Sequence, residues 1–153
     1  MNETVDSSDP HDLNRFVRAQ EGDYVRALSE IRAGQKRSHW MWYIFPQIAG
    51  LGFSAVSVRY SIKSLDEARE YLAHPILGPR LIKCFEALLD VKNLSAFEIF
   101  GSPDDRKLRS SATLFAIVSP GDSVFHRVLE KYFDGEMDQK TQRLLGIPSG
   151  CDS

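Results

Sequence analysis

Between Lys36 and Gln47 the chain gathers two cations, an imidazole, two indoles, a phenol and an amide: Lys36, Arg37, His39, Trp40, Trp42, Tyr43 and Gln47. Aromatic planes stack on a planar ligand, and Lys36, Arg37 and His39 can meet phosphate or carboxylate oxygens. A structural reading competes, with the aromatics in the core and the cations at a helix end. Trp40 and Trp42 would point in opposite directions in a strand and obliquely apart in a helix, so only one is expected to face a pocket. Gln47 follows Pro46 beside a loop bearing Gly50 and Gly52, where its amide either holds a ligand edge or closes a turn. His39 is the one weak catalytic candidate, for moving a proton, against the commoner role of a satisfied structural imidazole.

Two further groups add to this set. Arg59 with Tyr60, then His74 near one predicted helix end and Arg80 in the first turn of the next, form a second polar set, and Arg80 there opposes the helix dipole unless it faces an anion or a carboxylate. Lys107, Ser110 and Ser111 form a basic, hydroxyl-bearing stripe that either donates to a phosphate or returns its hydroxyls to preceding carbonyls. The glycines at 50 and 52 lack the Gly-Lys-Ser/Thr ending of a Walker loop and the Gly-x-Gly-x-x-Gly of a dinucleotide turn. No spacing of His, Cys, Asp and Glu calls for a metal, and no cofactor is expected.

The elements that must position these residues read as helices. Asp12 to Ala33 predicts two in an elbow at Glu21-Gly22-Asp23, with Asp23 capping the second and Gly34 stopping it. Ser64 with Glu67, and Ser95 with Glu98, have capping-box spacing. Further helices are expected from Pro79, from Ser102-Pro103, from Asp122 to Phe133 and from Asp138 to Leu145. Gly50 and Gly52 loosen the backbone and residues 54–62 fit neither period, so over 48–62 a short strand or an irregular packed segment competes evenly with a helix, and the 40–62 region is expected to allow one or two short strands or an irregular segment. The fold expectation is a mainly α, single compact multi-helix domain over residues 12–146, with flexible tails at 1–11 and 147–153.

Whole-chain properties bound the function. A chain of 153 residues, 42% apolar and 26% charged, suits one conventional globular core. Its 19 basic and 21 acidic side chains give a formal charge of -2, which argues against a nucleic-acid polymer or an anionic membrane as partner. No long apolar span and no basic-then-apolar leader is seen, so a cytoplasmic protein is expected. A bridge between Cys84 and Cys151 would tie a helical stripe to a Ser/Gly/Pro tail, and reduced thiols are the simpler reading.

Long strings in the sequence resemble the DUF1810 family of bacterial proteins. They are Ser38-His39-Trp40-Met41-Trp42-Tyr43-Ile44-Phe45-Pro46-Gln47, Gly50-Leu51-Gly52, Tyr71 through Arg80 (YLAHPILGPR) and Lys107 through Phe115 (KLRSSATLF), and the likeness runs over about residues 12–145. The resemblance implies a small, largely helical protein and assigns no catalytic residue. The name calpastatin given to some members has no physical support in these residues. A looser likeness, through helical architecture and Ala19-Gln20, is to the NADAR or YbiA-like domains of ADP-ribose and nucleotide-sugar metabolism.

The leading functional expectation is binding of a phosphate-bearing, nucleotide-like small molecule, extended to cleavage of an N-glycosidic or related bond. Trp40 or Trp42 would stack on the base, Arg37, Arg80 and Lys107 would answer the charge, His39 or a carboxylate would handle the proton, and Gln47 would orient the ligand. The competing expectation is a noncatalytic regulatory or protein-interaction module using aromatics around Trp40. Whether the chain is an enzyme, and whether it forms homo-oligomers, stays open at this stage.

Overall fold

A computed structural model describes residues 9–147. Residues 1–8 and 148–153, which carry most of the two expected flexible tails and Cys151, lie outside the described residues. In chain order the helices are α1 (Asn14–Glu21), α2 (Tyr24–Arg32), α3 (Met41–Ile44), α4 (Ala55–Arg59), α5 (Leu65–Ala73), α6 (Leu77–Asp90), α7 (Ala96–Phe100), α8 (Asp104–Ile117), α9 (Val124–Phe133) and α10 (Gln139–Leu144). Among the described residues no strand forms. Ile48 and Ile62 make a single parallel bridge, in which Ala49 N donates to Ile62 O and Ile62 N donates to Gln47 O, both at 2.8 Å. The strand alternative for 40–62 is therefore not realised: Ser54 accepts from Ser57 N and starts α4 before the pairing can extend.

Most of these helices are too short to persist alone in water and depend on packing. α8 is the central one, with every side chain from Ser110 to Ala116 buried, and it packs against α5, α7, α9 and α10. Aromatic rings in edge-on or tilted contact run through the core: Phe16 to Tyr71 (5.1 Å between centroids), Tyr71 to Phe115 (5.4 Å), Phe115 to Phe125 (5.6 Å), Phe125 to Phe85 (4.8 Å) and Phe85 to Phe45 (5.1 Å). Each such pair adds about 0.5–1.5 kcal/mol beyond the area it buries. This chain of rings joins α1, α5, α8, α9 and α6 to the Phe45 that ends α3.

Several termini form as the sequence indicates. Gly34 takes φ +75° after α2, Ser95 and Glu98 close a complete capping box, and Asp138 accepts from Thr141 N. Others differ. Asp23 makes no side-chain cap on α2, because its carboxylate is taken by the Tyr43 hydroxyl and by Arg26. Ser64 caps α5, but Glu67 reaches Lys63 N and Arg15 instead of closing the box. α6 starts at Leu77, two residues before Pro79, because His74 Nδ1 accepts from the amides of Ile76 and Leu77. At the same junction Gly78 permits a close crossing: a Cβ there would lie 2.1 Å from the Leu72 carbonyl oxygen of α5.

Candidate functional site

A cleft of about 590 Å³ opens between the loop after α3, the short α4, the first turns of α8 and the start of α10. Trp42 of α3 and Gln47 enter it from one side, with the backbone of Gly50 and Gly52 and the rings of Phe53 and Tyr60 along its wall. Arg106 and Lys107 enter from the first turn of α8, Ser110 from one turn further on, and Lys140 comes from α10. Lys107 Nζ lies 4.7 Å from the centre of the Trp42 ring, a cation–π contact that sets charge beside a planar face. Its second neighbour is Asp104, whose Oδ1 is 3.5 Å away. The lining contributes three cations and no carboxylate.

Of the residues singled out from sequence, the fold brings Trp42, Gln47, Lys107 and Ser110 together here. The Ser110 hydroxyl donates to Arg106 O at 3.2 Å, leaving its oxygen lone pairs for another donor. Ser111, one position on, turns into the core with no exposure, and its hydroxyl has no hydrogen-bond partner.

The remaining cations and rings of the Lys36 to Trp40 stretch do not line this cleft. Lys36 is nearly buried and binds Asp104 Oδ2 at 2.9 Å and Ser38 O at 2.6 Å, so it anchors the start of α8 from behind. Arg37 is exposed, with its guanidinium donating to Gln35 Oε1, and His39 is exposed too. Trp40 is wholly buried, and its indole N–H donates to Glu30 Oε1 at 2.9 Å. Glu30 organises the stretch, also accepting from the amides of Arg37 and Ser38 and from the Ser38 hydroxyl. Partial burial pushes the Glu30 carboxyl up, but these hydrogen bonds overrule it and hold the pKa at about 2.

Arg59, His74 and Arg80 lie elsewhere. Arg59 borders a second, wider depression of about 800 Å³ with His11, Lys63 and the buried Arg15–Glu67 pair. His74 spends its Nδ1 on the cap of α6. Arg80 lies over the Tyr24 ring at 5.0 Å and donates to Gln20 Oε1 at 3.3 Å, so the partner offsetting its position in a first turn is an amide and a ring instead of a carboxylate.

Sequence reasoning missed Arg106, Lys140 and Phe53, and set Tyr60 with Arg59 apart from the Trp42 stretch. Arg106 was legible as the i−4 neighbour of Ser110 on the same helical face, whereas nothing local to Lys140 signals that α10 folds back beside α8. Among the described residues no group of His, Cys, Asp and Glu is placed to hold a metal ion, and no helix is long and apolar enough to cross a membrane.

A family model described as "Protein of unknown function (DUF1810)" matches residues 10–145, which spans this cleft and all ten helices. The chain belongs to the DUF1810 family. A solved structure similar to this DUF1810 chain is the crystal structure of a conserved hypothetical protein, Rv1873, from Mycobacterium tuberculosis. The two share 50% sequence identity and a TM-score of 0.89, over 92% of this chain and 100% of that one. No curated protein matches this DUF1810 chain.

Proposed function

We propose that the cleft binds a phosphate-bearing, nucleotide-like small molecule and holds it without turning it over. The observation that carries this reading is the convergence of Arg106, Lys107 and Lys140 beside Trp42 in a recess whose lining has no carboxylate. Three cations in a partly enclosed space favour an anion of more than one charge, and Lys107 beside Trp42 joins that charge to a planar face. The volume of about 590 Å³ falls in the range of small-molecule sites. A recess of this kind supports a ligand over a broad protein contact through the Trp40 region, because Trp40 itself is inside the core.

Binding is favoured over hydrolysis by the same lining. It has no imidazole, carboxylate or thiol to take or give a proton near neutral pH, and His39, the earlier candidate, lies outside it. A phosphorylated metabolite as ligand and the buried, unbridged Cys84 both suit the reducing cytoplasm.

The test is thermal unfolding of the full chain with inorganic pyrophosphate, nucleoside mono- and diphosphates, and ADP-ribose. A ligand at a hundred times its Kd stabilises the folded state by about 2.7 kcal/mol. The shift should disappear in Lys107→Ala and Arg106→Ala and persist in Arg80→Ala, a control outside the cleft. Trp42→Phe should weaken binding of the nucleotides with the fold retained. No shift with any of these compounds would refute the reading.

A further inference from the structure

Phe53 is 85% exposed although its ring borders the cleft, the highest exposure of any large apolar side chain among the described residues. It sits just after Gly50, whose φ of +103° favours glycine, and Gly52, which has no side chain to anchor the backbone on its N-terminal side. The α4 helix that follows buries none of its residues. Leu51 still packs against the core and Gly50 lies beside the Leu144 side chain, so the loosely held part runs from Gly52 to Val58. At one end stands the Ile48–Ile62 bridge; at the other, Arg15 donates to the carbonyls of Arg59 (2.7 Å) and Ser61 (2.8 Å), and the Tyr60 ring packs on Tyr43 and Phe16. A five-residue helix with no buried residue, preceded by an exposed phenylalanine at the cleft, has the sparse burial of a local unit of low stability.

Resting on the reading of the cleft as an anion site, we infer that Phe53 is a specificity-determining residue alongside Trp42, and that residues 52–58 close to lay the phenyl ring on an unsaturated ring of the ligand. The cations then supply affinity for phosphate, which any phosphate ester shares, and Phe53 adds to Trp42 a second face that prefers esters carrying a flat heteroaromatic group. Apolar surface left in water in the open form is covered only when such a group is present, so closure and selection are one event. This assigns a role to a segment that, past Leu51, buries no side chain in the core.

The experiment compares ADP with inorganic pyrophosphate on the full chain by isothermal titration, for the natural protein and for Phe53→Ala and Phe53→Trp. Stacking of a base on an aromatic side chain predicts that Phe53→Ala lowers the ratio of ADP to pyrophosphate affinity by about tenfold, equivalent to ~1.4 kcal/mol, and that Phe53→Trp keeps it. Because the ring is exposed, its removal should leave the unfolding midpoint unchanged. Amide hydrogen exchange across residues 51–59 should slow with saturating ADP and much less with saturating pyrophosphate. A ratio that moves less than about threefold in Phe53→Ala, or equal protection by the two ligands, overturns the inference and leaves the anion site standing. Failure of the natural protein to bind either compound overturns both.

Discussion

Replacing Glu67 with glutamine removes one formal charge from the interior and changes almost no volume. Glu67 is 2% exposed, and its two oxygens both accept, one from Arg15 at 2.8 Å and the other from Lys63 N at 2.8 Å. Glutamine offers one acceptor and one NH2 group, so whichever way it turns, a donor faces either the guanidinium or the amide. Arg15 is itself nearly buried and keeps four carbonyl partners, on His11, Asp12, Arg59 and Ser61. Breaking a buried pair costs about 3–5 kcal/mol, and the surviving carbonyls place this case near the lower end, at about 3 kcal/mol. For a chain of this length that is a fall in Tm of roughly 6–12 °C. Urea unfolding of Glu67→Gln, followed by far-UV circular dichroism with the m-value checked for constancy, reads the cost directly. A loss below about 1 kcal/mol would refute the view that Arg15 and Glu67 pin the segment after α4 to α1, since only an exposed pair is worth so little.

Other perturbations test the remaining joints. Because the folded pKa of Glu30 lies at about 2, below its ordinary 4.5, its stabilisation is present above pH ~4.5 and is lost as pH falls toward 2. Glu30→Gln should cost about 1–2 kcal/mol at pH 7, discounted because the carboxylate is partly solvated, and should flatten that part of the acid unfolding profile. Lys131 Nζ donates to the carbonyls of Leu88, Leu89 and Val91 at the end of α6, so Lys131→Met should lower stability by about 1 kcal/mol in denaturant titration. Burial pushes the Cys84 thiol up to about 12; in a Cys151→Ser background, its labelling by a thiol reagent at pH 8 should therefore occur only at the rate of global unfolding.

The helical architecture was legible where local chemistry and burial agree. Ser64, Ser95 and Asp138 announce helix starts because a cap is satisfied within four residues, and α6 and α9 show apolar stripes because one face of each meets the core. The segment after Ile48 resisted reading for the opposite reason. α4 buries nothing, so no period marks it, and it is positioned by Arg15, more than forty residues earlier in the chain. The site divides the same way. Trp42, Lys107 and Ser110 stand out by residue type, but which of Trp40 and Trp42 faces the cleft is decided by Glu30, which captures the indole of Trp40 for the core. Lys140 and Phe53 become visible only when α10 and the loop after α3 are folded beside α8.

The crossing at Gly78 also sets a limit on how this chain can vary. With 2.1 Å between a would-be Cβ and the carbonyl oxygen of Leu72, even alanine, the smallest step available, collides with backbone that has no rotamer to yield. The α5–α6 junction therefore has no graded series of near neighbours in sequence space. Substitutions that this chain tolerates at the junction must pass around position 78, by changing the residues that surround the two helices while the hydrogen between them stays.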